Sequence, residues 1–339
     1  MGNNQNNQGT PDKTASQQNQ HTVSRDVKTP YMQNWNIGIE RQFAQDVLVE
    51  LNYQGSKGTH LGSFLSTNDP PPGPGNPDLR RPFPIAGAFS ELKHIATSKY
   101  NALTFKAQKR YSNGLSFTAA YAYSHSIDLN SEFGGTSPQN NACIQCDLAS
   151  SGFDQRHVAN FSYIYIVPTP GSWHGVLKSA LSGWQVSGIT TMESARPFNV
   201  TINFDNANVG ARGQFQRPNL IGNPFPAGFT STYGPGGTYL NPAAFAVAPQ
   251  YQFGNLGRNA LRGRPFYNTD LGAFKNFSLT ERLKLQFRSE FFNAFNNVNF
   301  RAPHDDQATF GNPSFGAIID TDPTNQDQRQ IQFGLKLMF

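Results

Sequence analysis

The 339-residue sequence is poor in charge and poor in oil: charged residues make up 14% and hydrophobic ones 37%. Soluble globular domains average about a quarter charged and nearly half apolar, so an ordinary water-facing surface around an oily core is excluded as the whole account. No run of eighteen apolar residues occurs, which excludes a transmembrane helix. The first twenty residues, MGNNQNNQGTPDKTASQQNQ, have neither a basic start nor an apolar stretch, so they do not read as a secretory signal peptide. Cysteine is scarce, with two in the chain, and a disulfide-built scaffold is excluded. The net charge of +5 over this length is too thin a positive field for nucleic acid. What is abundant is aromatic: 28 Phe and 12 Tyr, too many for a disordered chain despite 31 Gly and 23 Pro.

Apolar residues recur with a period of two. In Leu115–Ser124, Leu115, Phe117, Ala119, Tyr121 and Tyr123 alternate with small or polar residues. Val47, Val49, Leu51 and Tyr53 alternate with Glu50 and Asn52, and Leu103, Phe105 and Ala107 with Lys106 and Gln108. Leu283, Leu285 and Phe287 oppose Lys284, Gln286, Arg288 and Glu290, and Ile331 to Phe339 opposes Gln330, Gln332 and Lys336. This is the signature of strands with one greasy and one wet face. About nine are expected, near 33–43, 47–55, 100–111, 115–125, 156–167, 181–192, 265–276, 283–293 and 329–339. Many have the ~9–11 residues that a tilted strand needs to cross a bilayer.

The connections alternate as well. Short ones at 44–46, 112–114, 168–180 and 277–282 interleave with long ones at 56–99, 126–155, 193–264 and 294–328, the pattern of an antiparallel transmembrane β-barrel with periplasmic turns and extracellular loops. Phase follows from magnitude. Lys284 and Arg288 turned to hydrocarbon would cost ~2–4 kcal/mol each near the midplane, so the apolar set faces lipid. Glu50, Lys106, Lys284, Arg288, Glu290 and Lys336 are then expected to face the lumen. Trp35, Tyr121, Tyr123, Tyr163 and Tyr165 are expected in the interfacial aromatic belt.

Specific wording supports an assignment. QNWNIGIERQF, VLVELNYQGSKGTHL, YNALTFKAQKRYSNGLSFTAAYAYSHSID, FDQRHVANFSYIY, LSGWQVSGITTMESARPFNV, RPNLIGNP, YLNPAAFA, GNLGRNALRGRPFYNTDLGAFKNF and LQFRSEFFNAFNNVNF resemble the C-terminal barrel half of TonB-dependent receptors. The Oar-like receptors of acidobacteria, which carry a carboxypeptidase-regulatory-like domain, are the nearest likeness. The resemblance runs over about 29–339. It implies a 22-stranded outer-membrane barrel, a plug coupled to the TonB complex, import of a nutrient such as an oligosaccharide or a peptide, no enzymatic activity and no cofactor. The terminal QFGLKLMF resembles the signal read by the outer-membrane assembly machinery, with Phe333, Leu335, Leu337 and Phe339 in phase. Signal peptide, TonB box and plug are not visible in these residues. The expectation is therefore a fragment matching the family's last nine strands, with 1–28 as a disordered Asn/Gln-rich loop remnant. Nine antiparallel strands could close only through a parallel seam, so the sheet alone should be incompetent.

Other chemistry weighs less. Cys143 and Cys146 form an isolated CIQC without zinc-type partners, and a local loop disulfide is the expected fate. Asp154, Arg156 and His157 invite a triad with Ser162, but as neighbours on alternating faces they fit a polar rim cluster better. His304, Asp305 and Asp306 read as a solvated loop tip, and no metal site is expected. Arg258, Arg262 and Arg264 are expected to pair with lumen carboxylates such as Glu290. A surface-binding or adhesive barrel without transport, or a non-functional gene fragment, is the alternative reading.

Overall fold

Each expected run of alternation becomes a strand, and the strands join in chain order. The structure is a computed structural model that describes residues 20–131, 138–170, 172, 174–210, 216–225, 238–321 and 328–339. Nine long strands form one antiparallel meander: β1 (Tyr31–Gln42), β2 (Val47–Leu65), β3 (Phe89–Ser112), β4 (Leu115–Asp128), β5 (His157–Ile166), β6 (Trp184–Glu193), β7 (Phe266–Ser278), β8 (Lys284–Phe292) and β9 (Gln330–Met338). Among the described residues β1 pairs only with β2 and β9 only with β8, so the sheet is open. No helix is long and apolar enough to cross a membrane.

The main difference from expectation is length. β2 and β3 run well past Gly55 and Tyr100, with register shifts between Gly58 and Gly62. In that stretch, SKGTHLGSF, small and polar residues erase the hydropathic rhythm. Ladder hydrogen bonds need only backbone, so pairing continues where the side-chain pattern stops. A second difference lies at the start. Against the expectation of disorder throughout 1–28, Gln20–Val23 pairs in parallel with Phe89–Leu92, along the part of β3 that β4 has left free; residues 1–19 lie outside the described residues.

Register sorts the side chains, because directly opposed residues share a face. Ile39, Leu51, Phe105, Tyr121, Ala159, Met192 and Tyr267 form one continuous cross-strand row. Glu50 stands opposite Lys106 on the other face, and Arg288 and Glu290 oppose Gly334 and Gln332 there. Residues of this second face line a cavity of about 650 Å³ with contributions from β3 to β8, including Gln108, Ser116, Ser162, Asp270, Phe274 and Glu290. A hollow shared by six neighbouring strands requires the sheet to curve, with the polar face concave. The apolar face is convex and bare: Ile37, Ile39 and Leu335 are each more than 70% exposed.

The short connections, at 43–46, 113–114, 167–183 and 279–283, share one end of the sheet; the long ones, at 66–88, 129–156, 194–265 and 293–329, share the other. The buried apolar core lies in the long connections. Val200, Tyr239, Leu240, Ala244, Phe245, Leu256, Leu261, Phe315 and Ile318 form it, drawn entirely from 194–265 and 293–329.

The turn between β3 and β4 depends on left-handed backbone, with φ of 49° at Asn113 and 80° at Gly114. A Cβ on Gly114 would sit 2.7 Å from the Ile166 carbonyl oxygen. Gly114→Ala is expected to cost about 1–2 kcal/mol from conformation alone. This would be measured as a lowered urea midpoint for the full-length barrel folded in vesicles; an unmoved midpoint would mean that the turn relaxes freely.

Candidate functional site

Four long loops at one end of a curved sheet could hang as separate flaps. Here arginines and a shared apolar core bind them into one cap. Arg217, in the β6–β7 loop, reaches Asp147 of the β4–β5 loop with Nη2 at 2.5 Å and Nη1 at 3.3 Å, while its Nε donates to the Leu256 carbonyl at 2.7 Å. Both side chains are 5% exposed. Arg258 extends to Asp128, with Nη2 2.5 Å from Oδ1, and its Nε donates to the Asp147 carbonyl at 2.9 Å. Arg262 pairs with Asp154 and donates to the Ala195 carbonyl at 2.9 Å. Three arginines of one loop thus each meet an aspartate from the β4–β5 segment. Burial would push the Asp154 carboxyl up, but hydrogen bonds from the Ser126 amide, Arg262 and Arg156 outweigh it and hold the group below the usual carboxylate range.

The β2–β3 loop is tied in by Arg81, whose side chain is 3% exposed. It donates to Asp78 at 2.9 Å, to the Asn68 carbonyl at 3.0 Å and across to the Gly210 carbonyl at 3.2 Å. Asn141 of the β4–β5 loop donates to the Ser66 carbonyl at 2.6 Å and to Asp69 at 3.2 Å. The β8–β9 loop joins through the apolar core, where Phe245 and Phe315 meet edge to face at 5.2 Å and Thr201–Ile202 pairs with Thr309–Phe310.

The structure places the sequence candidates as follows. Glu50 and Lys106 are 3.1 Å apart and Arg288 and Glu290 3.0 Å apart; Lys284 and Lys336 share their face. Cys143 and Cys146 are disulfide-bonded. Phe333, Leu335 and Leu337 stand on the convex face, and Phe339, just past β9, is 99% exposed. Trp35, Tyr121, Tyr123, Tyr163 and Tyr165 share that convex face. The expected pairing of the arginines with lumen carboxylates such as Glu290 is corrected for Arg258 and Arg262. Glu290 lies within β8 beside Arg288, whereas Arg258 and Arg262 belong to the cap and take Asp128 and Asp154; Arg264 is half-buried just before β7. His157 and Ser162 lie on opposite faces of β5, and Asp154 serves the arginines, so no triad assembles. His304 lies 3.5 Å from Asp320, and among the described residues no group of three His, Cys, Asp or Glu could hold a metal ion. Sequence reading missed Arg217, Asp147 and Asp128. Arg217 and Asp128 figure only as members of the blocks RPNLIGNP and YAYSHSID, and the docking that joins them to Asp147 is signalled by the aromatic and small-residue density of FNVTINF, YLNPAAFA and FGNPSFGAI, which is out of place in open loops.

Removing one partner of a buried ion pair strands the other, at ~3–5 kcal/mol. Asp147→Ala is therefore expected to open the cap, seen as rapid proteolysis within the long loops of the folded receptor. Asp320→Ala, at an exposed pair 3.7 Å from Arg301, should change the rate little. A pH effect is expected as well. Burial pushes Asp69 up to about 6, opposed by Arg81 and reinforced by Asp205. With its folded value above the unfolded one, the group's contribution is full below about pH 4 and is lost as pH rises through about 6. Loop protection should fall across that window by the equivalent of roughly 2–3 kcal/mol, and Asp69→Asn should abolish the slope.

Comparison with known proteins follows the same lines. The family model described as an outer membrane beta barrel domain matches residues 2–332. No curated protein matches the chain. Among solved structures it is similar to the outer membrane transporter YddB from Escherichia coli, at 11% identity and a TM-score of 0.48, over 94% of this chain and 34% of that one. It is also similar to the pyoverdine outer membrane receptor FpvA from Pseudomonas aeruginosa, at 11% identity and a TM-score of 0.44, over 92% and 30%. A third is the FrpB iron transporter from Neisseria meningitidis, at 11% identity and a TM-score of 0.43, over 96% and 34%. The chain spans about a third of the length of these structures. With the family match extending over nearly its whole length, the chain belongs to the outer membrane β-barrel domain family.

Proposed function

We propose that this chain is the C-terminal wall and extracellular cap of an outer-membrane, TonB-dependent receptor of the Oar-like kind that imports a nutrient, an oligosaccharide or a peptide. The single observation carrying this reading is the segregation of charge within one strand. In β8, Lys284, Gln286, Arg288 and Glu290 share the concave face while Leu285 and Phe287 share the convex one. Hydrocarbon enforces that sorting, because a misplaced cation costs ~2–4 kcal/mol at the midplane; water on both sides does not.

In this reading the lipid of the outer membrane covers the convex face. Glu50, Lys106, Lys284, Arg288, Glu290 and Lys336 line the lumen and face a plug on which the TonB complex pulls. The cap presents the ligand surface on the cell exterior. Phe333, Leu335, Leu337 and Phe339 are read by the assembly machinery. The two open edges of the sheet are completed by further strands of the same receptor, since unpaired backbone groups are not tolerated in lipid. Catalysis has no part in it.

The test is a pair of substitutions in the full-length receptor. Phe287→Arg is expected to block barrel assembly, with loss of the heat-modifiable folded band from outer-membrane fractions. Gln286→Arg, one residue away, is expected to leave assembly intact. Equal tolerance of both would contradict the assigned faces.

A further inference from the structure

Three of the cap's cross-loop ties come from residues 139–147 of the β4–β5 loop. Gln139 donates to the Gly254 carbonyl at 3.0 Å and accepts from the Arg217 amide at 3.0 Å. Asn141 donates to the Ser66 carbonyl and to Asp69 in the β2–β3 loop. Asp147 takes the Arg217 fork on its carboxylate and the Arg258 Nε on its carbonyl. The β2–β3, β4–β5 and β6–β7 loops therefore meet at one node, and the Cys143–Cys146 disulfide stands between its second and third ties.

The backbone at this node is thinly held. Ile144–Asp147 is a single turn of 3-10 helix that starts from Cys143, with no side-chain cap. Its hydrogen bonds run from the Cys146 amide to the Cys143 carbonyl at 3.0 Å and from the Leu148 amide to the Gln145 carbonyl at 3.1 Å. A turn this short does not sustain itself, because fixing its dihedrals costs more than so few bonds return. Among the described residues, none of 142–146 hydrogen-bonds to another loop. Downstream the chain is anchored, since Ala149–Ser150 pairs with Ile127–Asp128 of β4. The disulfide carries that anchorage upstream across the turn, by removing the open conformations from the loop's ensemble. Burial changes sharply over the same residues. Cys146 is exposed and Cys143 half-buried, whereas Asp147 is 4% and Arg217 5% exposed. A bond at the surface thus sets the aim of a buried carboxylate.

We propose that the Cys143–Cys146 disulfide is a redox latch on the cap: oxidised it holds the node closed, and reduction by an external dithiol opens it. A thiolate of the dithiol attacks the exposed Cys146 sulfur, the S–S bond breaks, and Cys143 leaves as a thiolate that takes up a proton. The second thiol of the reagent then displaces Cys146. Two electrons and two protons have passed to the pair, which ends as two thiols, and the dithiol ends as a cyclic disulfide. The freed turn no longer aims Asp147, and the Arg217 guanidinium loses a fixed partner where water hardly reaches. The coupling inside the cap follows from this geometry alone; that the dithiol arrives from the cell exterior rests on the orientation given under Proposed function.

The experiment uses the full-length receptor folded in vesicles, with dithiothreitol as the dithiol. Alkylation and peptide mapping count the free thiols at Cys143 and Cys146, and amide hydrogen exchange follows the loops. Reduction is expected to free both thiols and to speed exchange in 66–88 and 194–265 by about tenfold or more, and reoxidation to restore the slow rates. Cys143→Ser/Cys146→Ser should show the fast rates without reductant and no response to it. Should that variant fail to fold, reduced wild type still carries the test. Complete reduction with unchanged exchange in 66–88 and 194–265 overturns the latch, as does acceleration confined to 138–148, which would make the disulfide a local staple. Cysteines that resist dithiothreitol in the folded receptor overturn it too. A failed orientation would appear separately, as Phe287→Arg assembling normally.

Discussion

Hydrocarbon offers a backbone amide no partner, and that one constraint organises this chain. Each N–H and C=O at membrane depth must be satisfied by a neighbouring strand, so connections between sequential strands stay outside the apolar zone and the strands run as a meander. Once the ladder exists, the pleat puts successive side chains on opposite faces with a period of two, and the energetic difference between lipid and water does the sorting. The low charge content follows. Half of each spanning strand must be apolar, and the cations that remain on the convex face, such as Lys99 and Lys109, stand at its rims.

The same constraint explains where the core lies. A sheet with lipid on one side and a lumen on the other has no interior of its own in which to bury Phe or Leu. The long loops emerge into water, where burial of apolar surface drives association, and there Phe245, Leu240 and Phe315 collapse together. Arginine then provides directional ties that a greasy core cannot. The Arg217–Asp147 fork, nearly sealed from water, fixes which loop meets which, because a mismatch would leave a buried charge without a partner. In the proposed receptor, a ligand meeting this cap would meet a preorganised surface, with less ordering entropy opposing its binding.

The nine strands, their faces and the alternation of loop lengths were legible in the sequence, because period-two hydropathy is a local property imposed by the environment. In Leu283 to Phe291 each residue reports its own side of the sheet. The far halves of β2 and β3 were not legible, since beyond the membrane nothing forces Ser56 to Ser63 to alternate. The loop disulfide and the rim role of Asp154 were within reach of short-range reasoning. The partners of Arg258 and Arg262 were not. Asp128 is 130 residues from Arg258 in sequence, and only the docking of two loops decides that it, rather than Glu290, accepts the guanidinium.

The two rims of the convex face also bear on how such a wall is seated. At the short-turn rim, Lys109 and Lys275 spend their charge on Asp46 and on the Ser182 carbonyl, so that edge is electrostatically closed. At the cap rim, Lys57 and Lys99 leave a positive edge above an uncharged band. A sheet closed at one rim and open at the other resists vertical displacement unequally. Sinking drags uncompensated ammonium groups toward hydrocarbon, while rising exposes Leu103 and Phe105 to water. In the proposed receptor these two unlike restoring forces, one electrostatic and one hydrophobic, would act on the same pair of strands to set the wall's depth in the bilayer.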